Sequence, residues 1–383
     1  MGRTYLDYNA TAPLRAEVAR VMAEAPWGNP SSVHADGRAA RACMEAAREA
    51  LARALGARPV ELVMTGSASE ANNLALSGVM AARLPGCTRG RLAVSAVEHP
   101  SVLQTARALA AAGQADAVDL IAVDADGRVH DAALRAAVGE RTRVVSVLAA
   151  SNETGVVQDL GAVVEAARAA GALVHVDAVQ LFGRLPLAVS TLGADLVSVS
   201  AHKLGGPRGA GALWVRPGTA LGPLVHGGHQ ERNRRAGTEN VAAIAGFAEA
   251  ARLATAGMAE EAVRLSALCD ALWARIVREI PDARRLGGDG PRLPNTLSVV
   301  FPGADGEALL FGLDLAGISA SSGSACTAGS LEPSHVLTAM GIDDATARGA
   351  LRMSLGWQTT PEDIECVALA LPEIVARARQ EAA

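Results

Sequence analysis

A single lysine, Lys203 in the segment SAHKLGG, is the first residue of the sequence that could do covalent chemistry. Lysine and arginine together number 35, and the other 34 of these residues are arginines. An arginine guanidinium supplies a fixed positive charge but is effectively never deprotonated, so it cannot act as an amine nucleophile. Lys203 is therefore the one side chain able to form a Schiff base with an aldehyde.

A second candidate is Cys326, which lies in a run of small polar residues, SASSGSACTAGSLEPSH, from Ser319 to His335. Glycine, proline and serine in such numbers indicate a loop rather than a helix or a strand. A thiol in this loop has no core to pack into, and its thiolate is a nucleophile. We predict that Cys326 is catalytic and that the other cysteines, which lie in helical or ordinary loop contexts, serve packing: Cys43, Cys87, Cys269 and Cys366.

Polar residues follow several short apolar runs of the sequence. Such runs are typical of buried parallel strands, and ligands bind beyond the carboxyl ends of these strands. We therefore expect the polar residues to meet at one edge of a sheet. They are Thr65, Gly66, Ser67 and Ser69 after the first run, Glu98 and His99 after the second, Asn152 and Glu153 after the third, Asp177 and Gln180 after the fourth, and Ser200, His202 and Lys203 after the fifth.

An aspartate and the single lysine at the ends of neighbouring strands match the needs of pyridoxal phosphate. This cofactor requires an amine for its aldehyde and a carboxylate for its pyridinium nitrogen, so that the ring can withdraw electrons. His99 would suit as a stacking partner for the flat ring and could shuttle protons. Residues 65–69 lead into a predicted helix whose free N–H groups could bind the phosphate, although Thr-Gly-Ser is also an ordinary helix start.

The order of elements predicts an α/β fold. The apolar runs at 61–65, 91–96, 144–149, 172–178, 196–200 and 211–216 predict buried strands, and segments between them, such as 161–170, predict helices. This alternation implies a mainly parallel sheet with helices on both faces. After Gly257 the pattern gives a long helix (259–280), a strand (295–301), a helix (306–315), a strand (350–356) and a final helix. We predict a large domain at 13–256 and a smaller α+β domain at 1–12 and 257–383, which carries the Cys326 loop at about 319–335.

The bulk composition favours a soluble cytoplasmic enzyme. A net charge of −5 gives no reason to expect nucleic acid or an anionic membrane as a partner. No stretch reaches the roughly 18 to 20 apolar residues that span a bilayer, and the N-terminal segment has no signal-peptide core. The 5 cysteines are widely spaced without a C-x-x-C pair, so we expect reduced thiols and no intrinsic metal site.

Nearly the whole chain resembles the pyridoxal-phosphate-dependent cysteine desulfurases, in the nitrogen-fixation branch with a long catalytic loop. The segments that carry the resemblance are YLDYNATAPL, GNPSSVHADG, VEHPSVL, NETGVVQ, HVDAVQ, SAHKLGGPRGAGAL, GGHQERNRRAGTEN and SSGSACTAGSLEPSH. The resemblance implies the type I aminotransferase fold, with a mainly parallel seven-stranded sheet in the large domain. It also implies a homodimer with its active sites at the subunit interface.

The same resemblance implies a role for each site residue. Lys203 would bind the cofactor covalently, Asp177 would face the pyridine nitrogen and His99 would stack on the ring. Arg352, together with Asn152, would bind the carboxylate of the substrate, for which a guanidinium is well suited. The ring hydroxyl would lie beside Asn152 and Gln180, and the phosphate would be held by Ala68, Ser69, Ser200 and His202, with Thr238 reaching in from the neighbouring subunit.

The resemblance further implies the conversion of L-cysteine to alanine, with the substrate sulfur left on Cys326 as a persulfide. His99 or the approaching substrate would take the proton of the Cys326 thiol. An acceptor such as an iron–sulfur scaffold protein would receive the sulfur, and Cys326 could transiently contact a cluster on that partner. Two alternatives stay open: a selenocysteine lyase on the same scaffold, and a non-catalytic phosphate-binding or sulfur-carrier protein that has kept the fold.

Overall fold

The computed structural model describes residues 3–82, 90–322 and 334–381. Within these ranges the strands, numbered in chain order, are β1 (Thr4–Tyr5), β2 (Leu62–Thr65), β3 (Arg91–Ser95), β4 (Val118–Ile121), β5 (Thr142–Leu148), β6 (Leu173–Asp177), β7 (Leu196–Ser200), β8 (Gly211–Val215), β9 (Arg284–Arg285), β10 (Thr296–Val300), β11 (Ile318–Ser319) and β12 (Ala350–Ser354).

The central sheet has seven strands in the order β2-β8-β7-β6-β5-β3-β4. Strand β8 is antiparallel to both of its neighbours, and the other pairs are parallel. The prediction of a mainly parallel seven-stranded sheet is therefore confirmed. The six predicted strands agree with the observed ones to within two residues at each end, whereas β4 had not been located, because only Ile121 of this edge strand is buried.

Helices cover both faces of this sheet. The helices in chain order are α1 (Ala16–Ala23), α2 (Ala35–Leu55), α3 (Ala68–Ala81), α4 (Pro100–Ala111), α5 (Asp131–Ala137), α6 (Leu160–Ala169), α7 (Gln230–Asn233), α8 (Val241–Ala256), α9 (Met258–Glu279), α10 (Gly306–Leu315), α11 (His335–Ala339), α12 (Asp344–Arg348) and α13 (Pro361–Glu381). One core cluster packs α1, α2, α6 and α8 against one face of the sheet, and another packs α3 and α4 against the opposite face.

A second, smaller sheet of three strands has the order β12-β10-β9 and is antiparallel throughout. Strands β1 and β11 form a separate parallel pair. Apolar side chains of α9, α10 and α13 pack with β10 and β12 in a core of their own. These elements lie within the predicted small domain, whose boundaries stay a prediction.

The free thiols of the described residues differ in exposure. Cys269 is buried in α9, where burial raises its pKa to about 12, and Cys43 is partly buried in α2. Cys366 is exposed on α13, so the packing prediction is wrong for this residue, because Val367 and Ala368 take the buried face of the helix. Cys87 and Cys326, with most of the predicted catalytic loop, lie outside the described residues.

No single helix of the described residues has the length and hydropathy to cross a membrane. Helices α8 and α9 reach that threshold only when taken together, and they are bent by 71° relative to each other.

Candidate active site

One cavity, of about 390 Å³, opens at the carboxyl ends of the parallel strands and gathers most of the predicted residues. We call it the site cavity. Strands β2, β5, β6 and β7 all end at this edge of the sheet because they run in the same direction. The predicted residues that line the cavity are Ala68, Ser69, His99, Asn152, Asp177, Gln180, His202, Lys203 and Arg352.

Asp177, the last residue of β6, is buried at the floor of the site cavity. Its Oδ2 accepts a hydrogen bond of 2.7 Å from Nδ2 of Asn72, and its Oδ1 accepts one of 3.0 Å from the backbone N–H of Val179. The two bonds therefore hold the carboxylate of Asp177 in a fixed orientation.

Lys203 lies in the turn that follows β7. Its Nζ donates to the backbone oxygen of Asn9 at 2.6 Å and to that of Ala10 at 2.8 Å. These two residues belong to the N-terminal segment and also line the site cavity. The amine therefore lies at the wall of the cavity that contains Asp177.

His99 caps the N-terminus of α4, and its Nδ1 is within hydrogen-bonding distance of two groups of one residue. The backbone N–H of Ser101 donates to Nδ1 at 3.1 Å, and Ser101 Oγ lies 2.7 Å from the same nitrogen. Burial lowers the pKa of His99; Asp177 opposes this effect, and the positive charge of Lys203 adds to it. His99 is therefore a neutral imidazole at neutral pH.

The start of α3 forms the opposite end of the site cavity. The hydroxyl of Ser67 caps the helix by accepting from the N–H of Glu70 at 3.1 Å. Helix and sheet come very close here, since a Cβ atom on Gly211 would lie 2.5 Å from the carbonyl carbon of Ser67. Ser200 Oγ is buried nearby in the sheet with no hydrogen-bond partner in the described part of the chain. Free N–H groups and an unsatisfied hydroxyl suit an anion.

Arg352 reaches the cavity from β12 of the smaller sheet and is only 1% exposed. Its Nη2 donates to Oδ1 of Asp7 at 2.6 Å, and its Nη1 donates to the backbone oxygen of Asn152 at 3.0 Å. Asp7 is 20% exposed at its side chain. The guanidinium is thus a fixed, buried cation paired with a carboxylate at the rim of the site.

A row of buried, hydrogen-bonded polar groups lies in the sheet beside the site cavity. His175 of β6 bridges Ser146 Oγ at 2.9 Å and Ser198 Oγ at 3.0 Å, and Ser146 donates to Glu98 Oε1 at 3.2 Å. Burial lowers the pKa of His175 to about 4. Burial, together with the negative charge of Asp177, raises the pKa of Glu98. His175 is therefore uncharged at neutral pH, and the surroundings of Glu98 favour its neutral form.

Six predicted site residues do not line the cavity: Thr65, Gly66, Glu98, Glu153, Ser200 and Thr238. Ser200 is buried in the sheet beside the cavity, and Thr238 is exposed on the surface of the chain. Three residues that the sequence had not suggested do belong to the site: Asn72 and Ser101 line the cavity, and Asp7 pairs with Arg352. Helical periodicity could have indicated Asn72, since it lies three residues after Ser69 and thus on the same face of α3.

Among the residues that the structure describes, no group of three or more histidine, cysteine, aspartate or glutamate side chains is arranged to hold a metal ion.

A lysine and an aspartate at neighbouring strand ends of a mainly parallel sheet define the site of a type I aminotransferase fold. Residues 4–367 match the model of the class-V aminotransferases. The chain is 41% identical to the cysteine desulfurase IscS of Dictyoglomus turgidum over 98% of its length and 95% of that protein. It is 42% identical to an IscS-like cysteine desulfurase of Mycobacterium tuberculosis over 99% and 98% of the two chains.

A solved structure described as a NifS-like protein superposes with a TM-score of 0.90 at 35% identity, covering 98% of this chain and 100% of that one. The chain therefore belongs to the class-V aminotransferase family and, within it, to the cysteine desulfurases. Enzymes of this family in general depend on pyridoxal phosphate.

Proposed function

We propose that the protein is a cysteine desulfurase that binds pyridoxal phosphate in the site cavity and converts L-cysteine to L-alanine, leaving the sulfur on Cys326. The observation that carries this proposal is the meeting of Lys203, Asp177 and His99 in one cavity with a buried arginine, Arg352. An amine, a fixed carboxylate, a neutral imidazole and a carboxylate-binding cation are the groups that this chemistry requires.

The residues present fit the cofactor. Lys203 supplies the amine for its aldehyde, and the Asp177 carboxylate, held by two donors, suits a pyridinium nitrogen. The unsatisfied hydroxyl of Ser200 and the start of α3 suit a phosphate, with Ala68, Ser69 and His202 completing that end. When bound, the cofactor supplies an electron sink for the bonds around the substrate Cα.

The chain's own groups would bind the substrate and move its protons. Arg352 and Asn152 would hold the carboxylate of L-cysteine, while Gln180, which lines the same cavity, would bind the ring hydroxyl of the cofactor. Lys203 Nζ, in its uncharged amine form, would take the proton of the substrate Cα. Transfer of this proton is efficient when the amine and the substrate Cα are held within reach of each other in one cavity.

Cys326 would then attack the substrate sulfur as a thiolate. The new S–S bond forms as the Cβ–S bond breaks, and the electron pair of the broken bond stays with the carbon skeleton. That skeleton takes up protons and leaves as alanine. The persulfide on Cys326 would pass to an acceptor protein, such as an iron–sulfur scaffold.

We also propose a cytoplasmic homodimer, divided into domains at 13–256 and at 1–12 plus 257–383. Thr238 is exposed and lies outside the cavity of its own chain. It follows Arg235, which forms an ion pair with Glu70 of α3 at 2.8 Å. Its exposure leaves Thr238 accessible to a second copy of the chain, which is the role that the resemblance implies for it.

The test is to measure alanine release from L-cysteine and from selenocysteine, with persulfide trapping by alkylation and mass spectrometry. We expect Cys326→Ala to lower alanine release from L-cysteine by about a hundredfold or more, because no thiolate receives the sulfur. Cys366→Ala, which removes an exposed thiol on α13, serves as the matched control and should leave the rate unchanged. Release from selenocysteine that far exceeds release from cysteine and survives Cys326→Ala would instead identify a selenocysteine lyase.

A further inference from the structure

A chain of hydrogen bonds links Asp177, at the end of β6, to His99, at the N-terminus of α4, through Asn72 of α3 and Ser101 of α4. Asn72 Nδ2 lies 2.7 Å from Asp177 Oδ2 and 2.9 Å from Ser101 Oγ. Ser101 Oγ lies 2.7 Å from His99 Nδ1. All four side chains line the site cavity.

The direction of these bonds follows from the chemistry of their ends. The Asp177 carboxylate is an acceptor, so Asn72 must turn its NH₂ group towards it. The opposite orientation would set Asn72 Oδ1 against the carboxylate. In the observed orientation Oδ1 has no partner within the described residues, and both hydrogens of the amide are used as donors. One of them goes to Ser101 Oγ, which leaves the Ser101 hydroxyl hydrogen to point towards His99.

The state of the imidazole follows from a second donor. The backbone N–H of Ser101 donates to His99 Nδ1 at 3.1 Å, so this nitrogen must offer its lone pair. The Ser101 hydroxyl, oriented by Asn72, donates to the same lone pair. With Nδ1 an acceptor, the proton of the neutral ring resides on Nε2.

We propose that Asn72 and Ser101 are positioning residues that fix His99 as the Nε2–H tautomer and tie its orientation to the carboxylate of Asp177. His99 therefore acts in the site as a hydrogen-bond donor from Nε2. Protonation of Nδ1 is disfavoured because two groups of Ser101 already donate to this nitrogen. The proton of the Cys326 thiol is received by the approaching substrate. This inference rests on the proposed function for its catalytic meaning, whereas the tautomer is a property of the protein without substrate.

The surroundings of the ring agree with this assignment. The titratable groups that act on His99 are Asp177 at the end of β6, Lys203 after β7 and His335 at the start of α11. Burial, Lys203 and His335 disfavour the imidazolium, and of these groups Asp177 alone favours it. A donor to the lone pair of the neutral ring adds to the preference for that form.

The test uses the pyridoxal-phosphate-loaded protein with ¹⁵N-labelled histidine, measured without substrate by two-bond proton–nitrogen correlation across a pH series. His99→Gln identifies the His99 signals among those of the 8 histidines. We expect the proton on Nε2 and an unprotonated Nδ1 at neutral pH. Asn72→Asp should turn the Ser101 hydroxyl towards the new carboxylate, so that Nδ1 becomes protonated and the His99 titration moves to higher pH.

A matched control lies next in the chain, because within the described residues Asn73 donates only to the backbone oxygens of Ser69 and Ser101, and neither bond reaches a side chain of the network. Asn73→Asp adds the same charge and should leave the proton on Nε2. Ser101→Ala keeps the backbone donor and should therefore retain the tautomer. It removes the hydroxyl that donates to the neutral ring, so the pKa of His99 should rise. This variant provides a readout if Asn72→Asp does not fold. A wild-type ring with its proton on Nδ1, or equal His99 signals in Asn72→Asp and Asn73→Asp, would overturn the proposal. These NMR results do not depend on alanine release. A failure of the tautomer proposal can therefore be told apart from a failure of the proposed function.

Discussion

Two cavities of nearly equal volume are each lined by a buried arginine that is paired with a carboxylate, and only one of them has the groups for catalysis. The site cavity, of about 390 Å³, is lined by Arg352, which pairs with Asp7. A second cavity, of about 410 Å³, holds Arg48 with Glu231, and we call it the Arg48 cavity. The Arg48–Glu231 pair is the more enclosed, with side chains only 3% and 2% exposed. Volume and a buried ion pair therefore do not by themselves identify an active site.

The difference lies in what the carboxylates do. Glu231 accepts from both terminal nitrogens of Arg48, at 2.9 and 2.5 Å, and from the backbone N–H of Met64 at 2.9 Å. These bonds anchor a segment in which Glu231, Arg232 and Asn233 have φ of 46°, 57° and 65°, a conformation that costs energy in residues other than glycine. The pair fixes the backbone, whereas Arg352 is fixed by Asp7 at the wall of a cavity that also contains an amine and an imidazole.

The largest expected effect is that of Lys203→Arg in the site cavity. The variant keeps the positive charge but has no amine that can be deprotonated, so we expect the release of alanine from L-cysteine to fall by about 10³-fold or more. The neighbouring exchange Arg208→Lys, at an exposed position of the same turn, should leave the rate within about twofold of wild type. Near-normal turnover of Lys203→Arg would show that catalysis does not need the amine that distinguishes the site cavity from the Arg48 cavity.

The next largest effect is expected in the Arg48 cavity and concerns stability. Arg48→Met leaves Glu231 buried without its cation, so we expect the free energy of unfolding to fall by about 3 to 5 kcal/mol in denaturant titrations. Arg41→Met changes an exposed arginine of the same helix and cavity and should cost less than about 0.5 kcal/mol. If Arg48→Met kept its stability but lost its affinity for L-cysteine, the Arg48 cavity would be part of the active site.

A smaller effect is expected for Arg352→Gln, which removes the cation of the site cavity. The loss of a charged hydrogen bond to the substrate carboxylate should raise the KM for L-cysteine by about ten- to a hundredfold. Arg348→Gln, at an exposed position of α12, should leave KM unchanged. Equal KM values for Arg352→Gln and Arg348→Gln would show that Arg352 does not bind the substrate carboxylate.

The smallest effect concerns Glu98, in the row of buried polar groups beside the site cavity. Its pKa in the folded protein is raised above 4.5, so the stability contributed by its neutral form is complete below pH 4.5 and is lost as pH rises through the folded pKa. Glu98→Gln stays neutral, and its free energy of unfolding relative to wild type should therefore increase with pH above about 4.5. Glu140→Gln, at an exposed position, is the control. A pH-independent difference would mean that Glu98 is charged in the folded protein.

Much of the site could be predicted from the sequence because its main groups follow strands directly. Asp177 ends β6, Lys203 comes three residues after β7, and parallel strands bring such positions to one edge of the sheet. The positions of these residues at the ends of strands were therefore enough to predict that they lie close together, without knowledge of side-chain contacts.

The remaining groups depend on contacts between distant parts of the chain. Asn72 and Asp177 are 105 residues apart, and Arg352 and Asp7 are 345 residues apart. Nothing in the local pattern around Asp7 distinguishes it from a surface aspartate, because its partner belongs to the smaller sheet. Edge strand β4 escaped prediction for a related reason, since an exposed strand lacks a continuous apolar run.

The central claim is that the amine of Lys203 holds the cofactor, and the single lysine makes this claim directly testable. The protein is loaded with pyridoxal phosphate, reduced with borohydride and digested, and the peptides are analysed by mass spectrometry. We predict that the reduced cofactor is found on the peptide that contains Lys203 and is absent from that peptide in Lys203→Arg. Cofactor found only at the N-terminal amine, with Lys203 unmodified, would contradict the account.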